Sequence, residues 1–142
     1  MKIAVRYQSR GGNTKAVAET IAAAAGVKAE LIPTPLDEPV DILFVGGGIY
    51  KWDIDSSLKE YLKTLSPADV GTAAAFSTAG GMDGAKRIVA ILKERGISVC
   101  DETLPVLVGL RNHAALGGKG YIELNDKKTS SINNFVRSLM QK

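Results

Sequence analysis

Four times along this chain a short apolar run suited to a strand is followed by a segment whose apolar residues recur every three or four positions. That alternation dictates a mainly parallel sheet, because parallel neighbours need a crossover and the crossover helices cover both faces. Lys2 to Tyr7 is the first strand. A helix then starts near Asn13, read as its N-cap, places Val17 and Ile21 on one face and stops at Gly26. Val27, Ala29 and Leu31 alternate with Lys28 and Glu30, the pattern of a strand at a sheet edge. Pro33, Pro35 and Pro39 bar regular structure in the next link. Asp41 to Val45 is continuously apolar after its first residue, which places it at the sheet centre.

Asp55 to Glu60 opens a second helix, with Ser57 and Glu60 at capping-box spacing and Leu58, Leu62 and Leu65 facing inward; Pro67 closes it. Thr72 to Phe76 is a fourth strand of small residues, and Ala85 to Arg95 a helix with Ile88, Val89, Ile91 and Leu92 inward. Ile97 to Leu104 is the fifth strand by position. The last helix carries Ile132, Phe135, Val136, Leu139 and Met140 at the spacing of an apolar stripe. Between Leu104 and Gly120 the order breaks down, and Tyr121 to Leu124 again suits a strand, so the last strand is expected to be split by a long excursion. The expected architecture is one doubly wound α/β domain over residues 1–142.

With 142 residues, 45% of them apolar and 23% charged, the chain has the size and composition of one domain able to build a full core. Its single cysteine, Cys100, cannot form an internal bridge, and a buried thiol in a reducing compartment is the expectation. Met1 leads straight into a strand-like run with no signal-peptide pattern, and no stretch approaches the roughly 20 apolar residues of a membrane span. A cytoplasmic protein without a membrane partner is expected. The net charge of +3 comes from basic residues scattered among acids, which gives no nucleic-acid surface.

In an open sheet of this kind the ligand crevice lies beyond the carboxyl ends of the strands, where the strand order reverses. The loop after the first strand, Ser9-Arg10-Gly11-Gly12-Asn13-Thr14, has two glycines that let consecutive N–H groups converge, and polar side chains able to donate beside a helix N-terminus. That is a phosphate cradle, although a capped helix after a tight turn has much the same pattern. A P-loop occurs nowhere, and the dinucleotide fingerprint fails at Gly46-Gly47-Gly48, where Lys51 stands in place of the third glycine. After the third strand, Ile49, Tyr50, Lys51 and Trp52 form an aromatic rim suited to stacking on a flat ring, or to packing on the next helix. Ser77, Thr78, Ala79, Gly80, Gly81 and Met82, after the fourth strand, offer backbone groups at close approach.

These three loops together resemble the flavodoxin family over nearly the whole chain up to Leu104. Tyr7-x-Ser9-Arg10-Gly11-Gly12-Asn13-Thr14 is similar to that family's phosphate-loop motif, and Asp41 to Gly47 with Ile49-Tyr50 is similar to its third strand and flavin loop. The resemblance implies a five-stranded parallel sheet of order 2-1-3-4-5, non-covalent FMN, and electron transfer by one-electron steps between redox protein partners, a reductase and an acceptor. By the same resemblance Ser9, Arg10, Gly11, Gly12, Asn13 and Thr14 hold the phosphate, Ile49, Tyr50, Lys51 and Trp52 flank the ring, and Ser77 to Met82 border its other side. No catalytic acid-base pair and no metal is then required. The family's electron carriers are strongly acidic. At net +3, with Arg10 and Lys51 near the cofactor, this chain is expected to make FMN easier to reduce.

Two other readings compete. An FMN-dependent NAD(P)H or quinone-type oxidoreductase would use the segment from Pro105 to Gly120 as a substrate wall, with Arg111 and His113 as polar contacts. A flavin-free relative of the fold would act as a binding or scaffold protein. Receiver domains share the topology, but they need clustered acids after the first strand and an Asp ending the third; Tyr7-Gln8-Ser9 and Val45-Gly46 supply neither.

Overall fold

A computed structural model describes residues 1–50, 53–79, 84–107 and 126–141. In chain order the elements are β1 (Ile3–Tyr7), α1 (Asn13–Ala25), β2 (Ala29–Leu31), β3 (Val40–Tyr50), β4 (Asp53–Ile54), α2 (Ser56–Lys63), β5 (Val70–Ala79), α3 (Ala85–Glu94), β6 (Leu104–Leu107) and α4 (Asp126–Met140). The parallel strands lie in the order β2-β1-β3-β5-β6, which is the expected 2-1-3-4-5 once the short β4 is set aside. β4 pairs antiparallel with the end of β3, Tyr50 opposite Asp53. The strand order reverses between β1 and β3, so the crevice rim is built from their carboxyl ends.

Alternation along the central strands sorts the core into two layers. Phe44, Ala74 and Phe76 face one way with Val5 and Tyr7, against Val17, Ala18 and Ile21 of α1 and Ile132, Phe135, Val136 and Leu139 of α4. Leu43, Val45, Ala73 and Ala75 face the other way, against Leu58 and Leu62 of α2 and Ile88 and Leu92 of α3. The rings of Phe44 and Phe135 meet edge to face at 6.1 Å, joining sheet to helix. The alanines of β5 let helices approach closely on both sides.

Several local readings change. Gly46, Gly47 and Gly48 are not in a loop: β3 runs through them to Tyr50, and they pair with Phe76, Ser77 and Thr78 of β5. A strand of this length is possible at Gly46 because a Cβ there would run into the carbonyl and ring of Phe76, so only glycine permits the pairing. The stretch read as a continuous fifth strand is interrupted. Val99 bridges Ala73, and pairing resumes only at Leu104 opposite Phe76, so Cys100 to Thr103 make a detour while β5 advances from Ala73 to Phe76. Cys100, expected to be buried, is half-exposed there. The strand read at Tyr121–Leu124 and the excursion holding Arg111 and His113 lie outside the described residues, apart from the first residues of β6. Among the described residues no helix is long and apolar enough to cross a membrane.

Candidate cofactor site

The first strand delivers the chain to the crevice and ties it there: the Gln8 N–H donates to the Gly46 carbonyl at 3.0 Å, extending the β1–β3 pairing by one residue. The turn into α1 is made by Gly12, at φ 98°, in the left-handed region that glycine enters without steric cost. Gly12, not Asn13, is therefore the N-cap; Asn13 is the first helical residue, and no side chain caps the helix. Two loop amides have protein acceptors, Gly12 N–H on Ser9 Oγ at 3.0 Å and Arg10 N–H on the Tyr50 hydroxyl at 3.1 Å. Among the described residues the amides of Gly11, Asn13 and Thr14 have none. The first turn of α1 carries no acidic side chain, so the helix's own residues add no negative charge at this end.

Ser9 Oγ accepts from Gly12, which leaves its own O–H proton to donate elsewhere. Thr14 and Thr78, both buried, place their hydroxyl oxygens 2.8 Å apart. One proton joins the pair and the other remains for a further acceptor. This contact ties the opening helix to β5, so two of the three loops singled out in the sequence are joined.

Three buried side-chain polar atoms have no hydrogen-bond partner among the described residues: Gln8 Oε1, Asn13 Oδ1 and Ser77 Oγ. All three belong to residues at the carboxyl edge of the sheet, after β1, at the start of α1 and near the end of β5. Buried polar groups are ordinarily satisfied, and each exception calls for a cause such as a missing ligand. Gln8 lies against the open side of Gly47, where a Cβ would stand 3.0 Å from Gln8 Oε1 and 2.7 Å from the Leu58 side chain. Fully buried Ser77 lies beside Gly84, whose missing side chain leaves room for Ile49.

The rim has its own order. Ile49 packs down against Gly84, and Tyr50 turns toward the first loop. The Arg10 guanidinium lies over the Tyr50 ring, 3.9 Å from its centroid, and pairs through Nε at 2.8 Å and Nη2 at 2.6 Å with Asp55 Oδ2. Asp55 is the N-cap of α2 and accepts from Ser57 N and Oγ through its other oxygen. Its hydrogen bond from the Ser57 side chain, with those from the Ser57 amide and Arg10, outweighs burial and holds its carboxyl below the ordinary carboxylate range. Asp53 is likewise held low, chiefly by its hydrogen bond from Lys59, with Arg87 adding to it at 3.5 Å.

Of the residues read from the sequence, Ser9, Gly11, Gly12, Asn13, Thr14, Ser77 and Thr78 lie together at the carboxyl edge of the sheet, with Ile49 and Tyr50 at the end of β3 beside them. The backbone of Ala79 ends β5 there. The Arg10 backbone stays in the first loop, but its side chain reaches Asp55 and Tyr50, so the charge expected beside the cofactor is already compensated. Lys51, Trp52, Gly80, Gly81 and Met82 lie outside the described residues. Sequence reasoning missed Gln8, passed over as a variable position within the loop motif. It also missed Asp55: Ser57 and Glu60 stand at capping-box spacing, but Asp55 is the N-cap of α2 and Ser57 is the second helical residue, and nothing local hinted at a partner 45 residues away.

The sheet order, with its switch point between β1 and β3, and the helices on both faces define a flavodoxin-like α/β fold. Solved structures bear this out over nearly the whole chain. An apo-form NADH:FMN oxidoreductase superposes with a TM-score of 0.68 at 17% identity, over 99% of this chain and 89% of the other. The flavodoxin of Megasphaera elsdenii, in its two-electron reduced state, gives 0.61 at 18% identity over 96% and 98%. A flavodiiron core from Synechocystis gives 0.66 at 17% identity, covering 98% of this chain but only 36% of that one. No family model and no curated protein matches the sequence. At these identities the likeness carries the fold.

Proposed function

We propose that this chain binds FMN and acts as a flavodoxin-like electron-transfer protein between a reductase and an acceptor. The observation that carries the reading is the set of three buried polar atoms, on Gln8, Asn13 and Ser77, that have no partner among the described residues and stand at the sheet's switch-point edge beside amides with no acceptor among those residues. The donor set suits a phosphate monoester: the amides of Gly11, Asn13 and Thr14, the Ser9 hydroxyl, and the proton left over by the Thr14–Thr78 pair. Tyr50 supplies an aromatic side chain at the rim for the ring, and Gln8 and Ser77 supply polar atoms deeper in the crevice. FMN, once bound, brings reversible one-electron chemistry; the chain's own residues anchor the phosphate at the helix N-terminus, orient the ring and shield it from water. The solved neighbours include a flavodoxin and an NADH:FMN oxidoreductase, which agrees with a flavin in this crevice.

A second reading, an FMN-dependent oxidoreductase with its own NAD(P)H or quinone-type substrate, is favoured by the likeness to the NADH:FMN oxidoreductase over 99% of the chain. The visible spectrum of the purified protein and its quenching of FMN fluorescence test the common part of both readings. A protein that is colourless and leaves FMN fluorescence unchanged refutes FMN binding. A yellow protein that oxidises NADPH unaided selects the oxidoreductase, and one that needs a separate reductase selects the carrier.

A further inference from the structure

Arg10 belongs by sequence to the phosphate loop, yet its side chain is committed elsewhere. Nε and Nη2 both meet one oxygen of Asp55, whose other oxygen is held by Ser57, so every strong acceptor site of that carboxylate is in use. Asp55 is fixed by its place as the cap of α2 and is only 12% exposed, against 60% for Arg10. The anchor is thus the carboxylate and the moving part is the arginine. Held this way, the guanidinium covers one face of Tyr50, and the Arg10 amide takes the Tyr50 hydroxyl. Gly48 completes the arrangement: a Cβ there would lie 2.8 Å from the Tyr50 hydroxyl, so the ring can adopt this orientation only over glycine. To reach a phosphate, Arg10 would have to break both bonds to Asp55 and uncover Tyr50.

We infer that Arg10, anchored by Asp55, is a positioning residue for the ring side of the site and not a phosphate ligand: its guanidinium fixes the orientation of the Tyr50 side chain at the rim. The inference rests on the FMN reading above. A rim aromatic fixed before the ligand arrives loses less rotamer freedom on binding, so the benefit falls on the flavin ring whether or not a phosphate is attached. A phosphate ligand would behave differently, since its contribution disappears when the phosphate is absent.

The test titrates wild type, Arg10→Ala, Arg10→Lys and Asp55→Asn with FMN and, separately, with riboflavin, following flavin fluorescence. Arg10→Ala is expected to weaken both ligands by the same factor, roughly three- to tenfold, the range a cation–π contact and its ordering effect support. Arg10→Lys keeps the charge but not the planar fork, and is expected to fall short of wild type with both ligands. Asp55→Asn keeps a capping acceptor for α2 and removes the anchor, so a smaller loss with both ligands is expected. In the ligand-free protein, nuclear Overhauser contacts between the Arg10 side chain and the Tyr50 ring are expected in wild type and weaker in Asp55→Asn. A loss confined to FMN, or no loss with either ligand, overturns the proposal while leaving FMN binding intact. Absence of the Arg10–Tyr50 contacts in wild type overturns it without any flavin. Failure of wild type to bind either flavin overturns the site reading and this proposal together.

Discussion

Arg6 and Gln8, two residues apart at the end of one strand, treat buried polarity in opposite ways. Arg6 is 5% exposed and fully partnered: Nε donates to the Thr34 carbonyl at 2.9 Å, Nη2 to that of Pro35 at 2.9 Å, Nη1 to that of Val5 at 3.2 Å, and Glu30 stands alongside at 3.2 Å. Gln8 is 7% exposed, and its side-chain carbonyl has no donor among the described residues. A charge cannot be left buried without compensation, so the Arg6 side chain pins the proline-rich link over the sheet edge. A neutral amide can be left unpaired at a cost of about 1–3 kcal/mol, a cost tolerated where a ligand supplies the missing partner. The first region is finished by folding alone, and the second is not.

The largest effect is expected where the crevice has no slack. Gly46→Ala pushes a Cβ into the Phe76 carbonyl and ring, and should lower stability by about 3 kcal/mol, read as a fall in the urea midpoint. A variant as stable as wild type would mean that β3 and β5 can separate there. Arg6→Met comes next: it takes charged donors from the carbonyls of Thr34 and Pro35, and roughly 1.5–3 kcal/mol should be lost. Ser77→Ala sharpens the comparison by reversing its sign. Removing a buried hydroxyl without a partner should leave the ligand-free protein as stable or more stable by about 1 kcal/mol, while FMN binds more weakly. Destabilisation of the ligand-free Ser77→Ala protein would show that the hydroxyl is satisfied after all.

The smallest effect is with pH. Asp53 and Asp55 have carboxyls held below their ordinary value of 3.8 in the folded chain, so they favour folding fully above that pH. Their contribution drains away as pH falls below it, through the lowered folded values. Asp55→Asn, which cannot titrate, should show a shallower loss of stability below about pH 4 than wild type in acid titrations.

Much of this layout was legible in the sequence because it depends on local pattern. The continuous apolar run at Asp41–Val45 marked a central strand, the alternation at Val27–Leu31 an edge, and Gly26 the end of a helix, where it takes positive φ. The features that escaped notice depend on contacts distant in sequence. Gly46 to Gly48 look like a loop until Phe76 is placed beside Gly46, and Asp55 looks like an ordinary residue ahead of a Ser57 cap until the helix starts on it and Arg10 reaches it. The capping role fell to Gly12 and not Asn13, because the turn needs a left-handed residue more than it needs a side-chain acceptor. β4, at two residues, is too short to show any periodicity.

The detour between Val99 and Leu104 has one more consequence. Cys100 to Thr103 are irregular and carry no fixed up-and-down alternation, so the facing of the strand that follows is set by its own pairing with β5. Val99 lies opposite Ala73 on the α2–α3 side, and Leu104 still lies opposite Phe76 on the α1–α4 side. The irregular path lets the chain change layers between those two pairings, so this edge can take one residue more or fewer at Cys100 to Thr103 while Leu104 and Val106 keep the facing that β5 imposes.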